Sequence, residues 1–327
     1  MRHNLPPEVD RTTAPTHKAL APRLRPYLEL FRLPNLFTAL ADVMMGFLVT
    51  HVALVPTGPF VALLIASGLL YTSGMVLNDV YDVDLDARQR PHRPLPSGRI
   101  DPTLAKALGY ELLLAGVAAG WLAAWMIASP APGIVAGCLA VAVVLYDRWL
   151  KRTVWGPLGM GACRALNVLL GMSAAFVLWH AVHVTIAAGI GLYIVGVTWF
   201  ARTEAQKSSR FALSAATFTM MLGIAMLAWM PWWADARLAA VSRPVFADRQ
   251  RWPLFAAALA GLIAYRCLRA IVSPTPAMVQ RAVKQAILSL IVLDAAVCFA
   301  FRGLGWSVLI LLLLLPTLFL GRWIYST

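Results

Sequence analysis

The sequence predicts an all-α, polytopic membrane bundle of nine or ten transmembrane helices, folded as a single domain over residues 1–327. Three observations predict it. Hydrophobic residues make up 60% of the chain and charged residues 13%, with a mean hydropathy of +0.71, far from the balance of a water-soluble domain. Apolar stretches of about 20 residues, the length that crosses a bilayer at 1.5 Å per residue, recur along the chain. Basic residues gather in alternate loops between those stretches.

The expected spans are 34–55, 58–79, 104–128, 131–149, 155–179, 182–201, 211–233, 253–272, 282–301 and 304–323. Loops after spans two, four, six and eight carry Arg88–Arg99, Arg148–Arg152, Arg202–Arg210 and Arg266–Lys284. Those after spans one, three and five, around Pro56, Ser129–Gly133 and His180–His183, hold neither Lys nor Arg. This alternation puts the N-terminus in the cytoplasm, with a bacterial inner membrane as the expected setting. The basic stretch Asp235–Arg251 is the exception, and the short Arg302–Gly303 connection leaves the last two spans as one helix or two.

Residues 1–25 are polar and basic, without the apolar core of a cleavable signal. Together with an interfacial helix over 26–32, in which Tyr27, Leu28 and Phe31 share a face, they form an expected cytoplasmic tail of residues 1–33. The net charge of +13 is spread over loops rather than gathered in one patch, which excludes nucleic acid as a partner. Cys138, Cys163, Cys267 and Cys298 fall within apolar spans and form no CxxC pair, so they read as packing residues.

The chemistry concentrates at Asn78–Asp86, NDVYDVDLD, and the following ARQRPHRPLPSGR. Four aspartates within eight residues are costly beside a membrane span unless they line a wet cavity, pair, or bind cations. On one continuous helix, Asp79, Asp82 and Asp86 would share a face with Asn78 on its flank. Such a stripe of oxygens suits Mg²⁺, which shares its remaining coordination with water and phosphate. Arg88, Arg90, Arg93 and Arg99 then supply forked donors for a phosphate group. The competing reading is a solvated loop whose arginines only set topology; that needs the bases but not acids in register.

Further polar groups lie on the same side. Tyr146, Lys151 and Arg152 close the fourth span, as a phosphate contact or as ordinary snorkelling residues. Arg202, Glu204 and Lys207 follow the sixth span, where Glu204 offers a carboxylate and Lys207 a fixed cation. Within the spans, Asp42, Glu111, Arg164 with Asn167, and Asp294 are candidates for function or for mutual pairing, such as Arg164 with Asp42 or Asp294.

The motif Asn78-Asp79-x-x-Asp82-x-x-x-Asp86 with Arg90-x-x-Arg93-Pro94-Leu95-Pro96-Ser97-Gly98 resembles the first aspartate-rich motif of the UbiA superfamily of intramembrane prenyltransferases. Arg32-Leu33-Pro34-Asn35 and Tyr146…Lys151-Arg152 are similar to that family too. Arg32–Asn35, Gly156–Asn167 and Gly196–Ala205 resemble its EboC-like members. The resemblance implies a UbiA-like helical bundle with a cytoplasmic active site. There Mg²⁺ binds an isoprenoid diphosphate held with a lipophilic acceptor among membrane lipids. It implies Asn78, Asp79, Asp82 and Asp86 as metal ligands, with Arg90, Arg93 and Lys151 at the diphosphate.

The family's second acidic motif is reduced here to Arg202-Thr203-Glu204-Ala205-Gln206-Lys207, leaving one carboxylate. The expected activity is therefore Mg²⁺-dependent prenyl transfer, with Asp79, Asp82, Asp86 and Lys207 catalytic. Arg90, Arg93, Tyr146, Lys151, Arg152, Arg164, Asn167, Arg202 and Glu204 would bind substrate. The alternative is a non-catalytic transporter or lipid carrier on the same fold.

Overall fold

The computed structural model describes residues 24–175, 180–202, 209–232 and 251–323. After a short helix α1 (Arg25–Leu30), the helices are α2 (Leu33–Thr50), α3 (Thr57–Tyr81), α4 (Val83–Gln89), α5 (Pro102–Met126) and α6 (Ala131–Arg148). There follow α7 (Gly156–Met172), α8 (Ala181–Ala201), α9 (Arg210–Trp229), α10 (Arg251–Val272), α11 (Pro276–Arg302), α12 (Leu304–Leu311) and α13 (Leu314–Trp323). No strand occurs among the described residues.

Nine segments among the described residues are long and apolar enough to cross a bilayer, α12 and α13 together forming the last. Helix α7, at 17 residues, is not one of the nine, although it packs centrally against α2 and α8. Its shortness is the main departure from the expected span 155–179. The expected loop exception, 235–251, lies outside the described residues apart from Arg251.

Helix ends follow local chemistry. Asp101 caps α5, its Oδ1 accepting from the N–H groups of Thr103 at 2.8 Å and Leu104 at 2.9 Å, with Pro102 pre-set at the first turn. Gly303, at φ 78°, ends α11 in a conformation that side chains resist. Arg302 donates from Nε to Leu48 O at 2.5 Å and from Nη2 to Val49 O at 3.2 Å, tying that end of α11 to the far end of α2. Its charge thus satisfies carbonyls left open where α2 ends.

Close helix approach sets the core. A Cβ at Gly46 of α2 would meet the Val168 carbonyl oxygen of α7 at 2.5 Å, and one at Gly171 would collide with the Val43 carbonyl. Paired glycines therefore allow α2 and α7 to cross almost backbone to backbone, the packing solution favoured between membrane helices. Helix α1 is not merely a membrane-surface element: Leu30 is buried with Val76, Leu95, Ile100 and Ala105.

Gly46→Val should separate α2 from α7 and cost about 1–3 kcal/mol. The thermal midpoint of the detergent-purified protein should fall by several degrees, and an unchanged midpoint would contradict the crossing.

Candidate active site

Helix α3 does not run through the aspartate motif. It stops at Tyr81, Asp82 adopts φ −103° and ψ 7°, and α4 begins at Val83. The break corrects the expectation that Asp79, Asp82 and Asp86 share one helix face. Asp79 and Asp86, each 4% exposed, turn to one set of bases, and Asp82 turns to another.

On the first side, Arg93 Nη1 lies 2.7 Å from Asp86 Oδ2 and 3.3 Å from Asp79 Oδ1. Arg32 Nη2 reaches the same Asp79 oxygen at 2.7 Å. The RPLPSG segment delivers Arg93. Ser97 donates from N–H to Arg93 O at 3.0 Å, Gly98 takes φ 71°, and the buried side chains of Leu95 and Ile100 pin the turn. Arg32 occupies the left-handed region at φ 44°, ψ 47°, a conformation costing a non-glycine residue on the order of 1–3 kcal/mol. Burial opposes its charge, but Asp79, Tyr71 and Asp86 hold its pKa above the ordinary arginine value.

On the second side, Lys151 Nζ sits 2.7 Å from Asp82 Oδ2 and donates to Asn78 Oδ1 at 3.0 Å and Asn78 O at 3.1 Å. Arg152 Nη2 donates to Tyr81 O at 2.6 Å and approaches Asp82 Oδ1 at 3.4 Å. These groups border an open recess of about 600 Å³, lined by Asn78, Asp82, Asp84, Arg88, Lys151 and Arg152 among others. Tyr146 belongs to its wall and also to that of a second, apolar cavity of about 80 Å³. Leu70, Tyr71, Leu139, Val143, Arg164 and Asn167 line that inner cavity.

Arg164 and Asn167 are anchored from behind. Arg164 Nε lies 2.6 Å from Asp42 Oδ2, and Asn167 Nδ2 donates to that oxygen and to Ala39 O, both at 2.9 Å. Ser67 Oγ donates to Asn167 Oδ1 at 2.7 Å. Of the two partners expected for Arg164, Asp42 is the one it pairs with, and Asp294, fully buried, stands beside Asp42.

The model of the UbiA prenyltransferase family matches residues 39–283, three-quarters of the chain and the whole of this site except Arg32. The chain belongs to that family. It is similar to the digeranylgeranylglyceryl phosphate synthase of Saccharolobus solfataricus, 32% identical over 154 residues, covering 47% of this chain and 53% of that one. The enzyme of the same name from Metallosphaera sedula is 32% identical over 150 residues, covering 45% and 51%. The chain thus spans about half the length of the curated relatives it matches. Among solved structures, one of digeranylgeranylglyceryl phosphate synthase in membranes gives a TM-score of 0.62 at 21% identity, covering 86% of this chain and 99% of that chain. A UbiA homolog from Archaeoglobus fulgidus bound to GPP and Mg²⁺ gives 0.57 at 15%, covering 84% and 99%. At such identities the two structures share the UbiA fold with this chain.

Within this UbiA fold, the expected residues that are described fall into three groups. Asn78, Asp79, Asp82, Arg93, Tyr146, Lys151 and Arg152 converge around the end of α3, with Asp86 joined through Arg93. Arg164 and Asn167 line the inner cavity instead. Arg202 donates to the Thr153 carbonyl and so braces the turn after Lys151, while the Arg90 N–H caps α4 on Asp86 O at 2.7 Å. Glu204 and Lys207 lie outside the described residues. Two residues escaped the motif reading. Arg32 was named within the family-like Arg32-Leu33-Pro34-Asn35 but given no role, and Asp147 stood as one acid in a basic loop.

Arg93 is 10% exposed and Arg152 61%, so their truncations should differ. Arg93→Ala strands the buried Asp86 and leaves Asp79 with Arg32 alone, and should cost about 3 kcal/mol or more, whereas Arg152→Ala should cost less than about 1 kcal/mol. Thermal unfolding of both variants in detergent measures the gap, and equal losses would contradict it.

Proposed function

We propose that this UbiA-family chain transfers a prenyl group from an isoprenoid diphosphate to a lipophilic acceptor within the membrane. One observation carries the reading: Tyr146 borders both the acid- and base-lined recess and the apolar cavity. A diphosphate in the first and an allylic carbon near the second would be contiguous. The A. fulgidus UbiA homologs bound to GPP or DMAPP with Mg²⁺ support the donor class. The synthase relatives support a lipid phosphate as an acceptor class, and Gly156–Asn167 supports an EboC-like placement within the family.

The donor chemistry suits magnesium, although among the described residues no three of these carboxyls stand together as a ready-made cation site. Asn78, Asp79, Asp82 and Asp86 offer only hard oxygens, and Asp79 Oδ2 and Asp86 Oδ1 stand outside the arginine contacts described above. These four residues would hold the ion, which when bound offsets the charge gathering on the departing diphosphate. The protein's own cations divide the remaining work. Lys151, fixed by Asn78 and Asp82, and the exposed Arg152 would face the diphosphate oxygens from one side, with Arg88 across the recess. Arg32 and Arg93 would keep Asp79 and Asp86 ionised and oriented. The apolar wall of Leu70, Leu139 and Val143 would exclude water from the allylic carbon. The bases in the loops after α3 and α6 support a cytoplasmic side for this chemistry and for the N-terminus.

Purified protein given geranylgeranyl diphosphate and a total lipid extract as acceptor should release diphosphate with Mg²⁺ and stop with EDTA. Asp82→Ala should lower the rate at least about 100-fold. Release at the parent rate in that variant would refute the role of Asp82. No Mg²⁺-dependent release from the parent would refute the enzyme and favour the carrier alternative.

A further inference from the structure

Loss of a diphosphate is half of a prenyl transfer. An O–H or C–H acceptor that bonds to the allylic carbon must also lose a proton. The carboxylates around the recess are poorly suited to take it: Asp79, Asp82 and Asp86 are paired with bases, and Asp84 is exposed and does not line the inner cavity. The inner cavity has one carboxyl group among its lining residues, Asp147.

Asp147 sits on the last turn of α6, one turn before Lys151. It is 2% exposed, yet among the described residues no hydrogen bond or ion pair reaches its carboxyl group. Lys151, four residues on and a natural partner for it, is turned toward Asp82 and Asn78 instead. Opposite Asp147, helix α3 presents Gly74, where even a Cβ would stand 3.9 Å from Asp147 Oδ2. The absent side chain opens the carboxyl to the cavity. A buried carboxyl without a partner is costly, and such a cost recurs where a group is kept for chemistry.

We propose that Asp147 is the proton acceptor of the transfer step, resting on the prenyl-transfer reading above. The allylic C–O bond breaks and its electron pair leaves with the diphosphate. The acceptor's electron pair forms the new bond to the allylic carbon, and the acceptor's proton passes to an Asp147 carboxylate oxygen, to be released to solvent through the recess. Arg164 and Asn167, fixed by Asp42 on the same cavity wall, position the acceptor beside it. The acceptor class is accordingly a lipid bearing a removable proton, such as a hydroxyl, on the carbon or oxygen that is prenylated.

The test uses the full-length protein with Mg²⁺, radiolabelled geranylgeranyl diphosphate, and geranylgeranylglyceryl phosphate plus a total lipid extract as acceptors. Diphosphate, prenyl alcohol and prenylated lipid are measured separately. Asp147→Asn, which keeps shape, should fold with the parent's thermal midpoint and release diphosphate within about threefold of the parent. It should lose lipid prenylation about 100-fold or more, with prenyl alcohol rising as water captures the cation. Asp147→Glu should restore part of the transfer. Prenylation by Asp147→Asn within threefold of the parent overturns the proposal. So does a parallel loss of release and transfer, which would assign Asp147 to the diphosphate site or to folding. A parent that releases no diphosphate instead overturns the prenyl-transfer reading itself.

Discussion

The arrangement depends on the Arg93 guanidinium held between Asp79 and Asp86. Those two carboxylates lie on either side of a helix break, and a shared cation stabilises the break. With Arg93 in place, Asp82 is released from the face of its neighbours and turns toward Lys151 at the end of α6. One bend thus splits a run of acids into a braced pair and an outward-facing carboxylate. Burying these charges would be unfavourable without their partners, so acids and bases must be installed together.

The same region stores strain that only the site explains. Arg32 holds a left-handed backbone at the start of α2 and spends its guanidinium on Asp79. Helix α2 also carries Asp42, which anchors Arg164 and Asn167 of α7 across the glycine crossing at Gly46 and Gly171. Helix α3 lines both the base-rich recess and the inner cavity, and the contacts of Arg32 and Asp42 brace both from α2 and its first turn, so their relative placement is a property of the core. A shift of α2 would disturb both.

The membrane bundle was legible because its signals are local: apolar length and loop charge survive any detail of packing. The motif was legible for the same reason, since acids beside a span demand partners. The break at Asp82 was not, because seven residues of helical spacing look alike whether or not an arginine 14 residues beyond Asp79 pulls the chain aside. Arg164 was found with Asp42 as one of two candidate partners, yet only helix crossing chooses between Asp42 and Asp294. Asp147 was hidden by composition. Among Arg148, Lys151 and Arg152 it reads as a salt-bridge partner, and its isolation follows from Lys151 turning to Asn78 and Asp82.

The central claim is that the acid–base array at the end of α3 is a joint cation and diphosphate site. An anomalous-scattering map from crystals grown with Mn²⁺ and geranyl diphosphate tests it most directly. The expected result is a manganese peak beside Asn78 and the motif aspartates, with diphosphate density facing Lys151. Manganese and diphosphate bound elsewhere, with these ion pairs undisturbed, would contradict it.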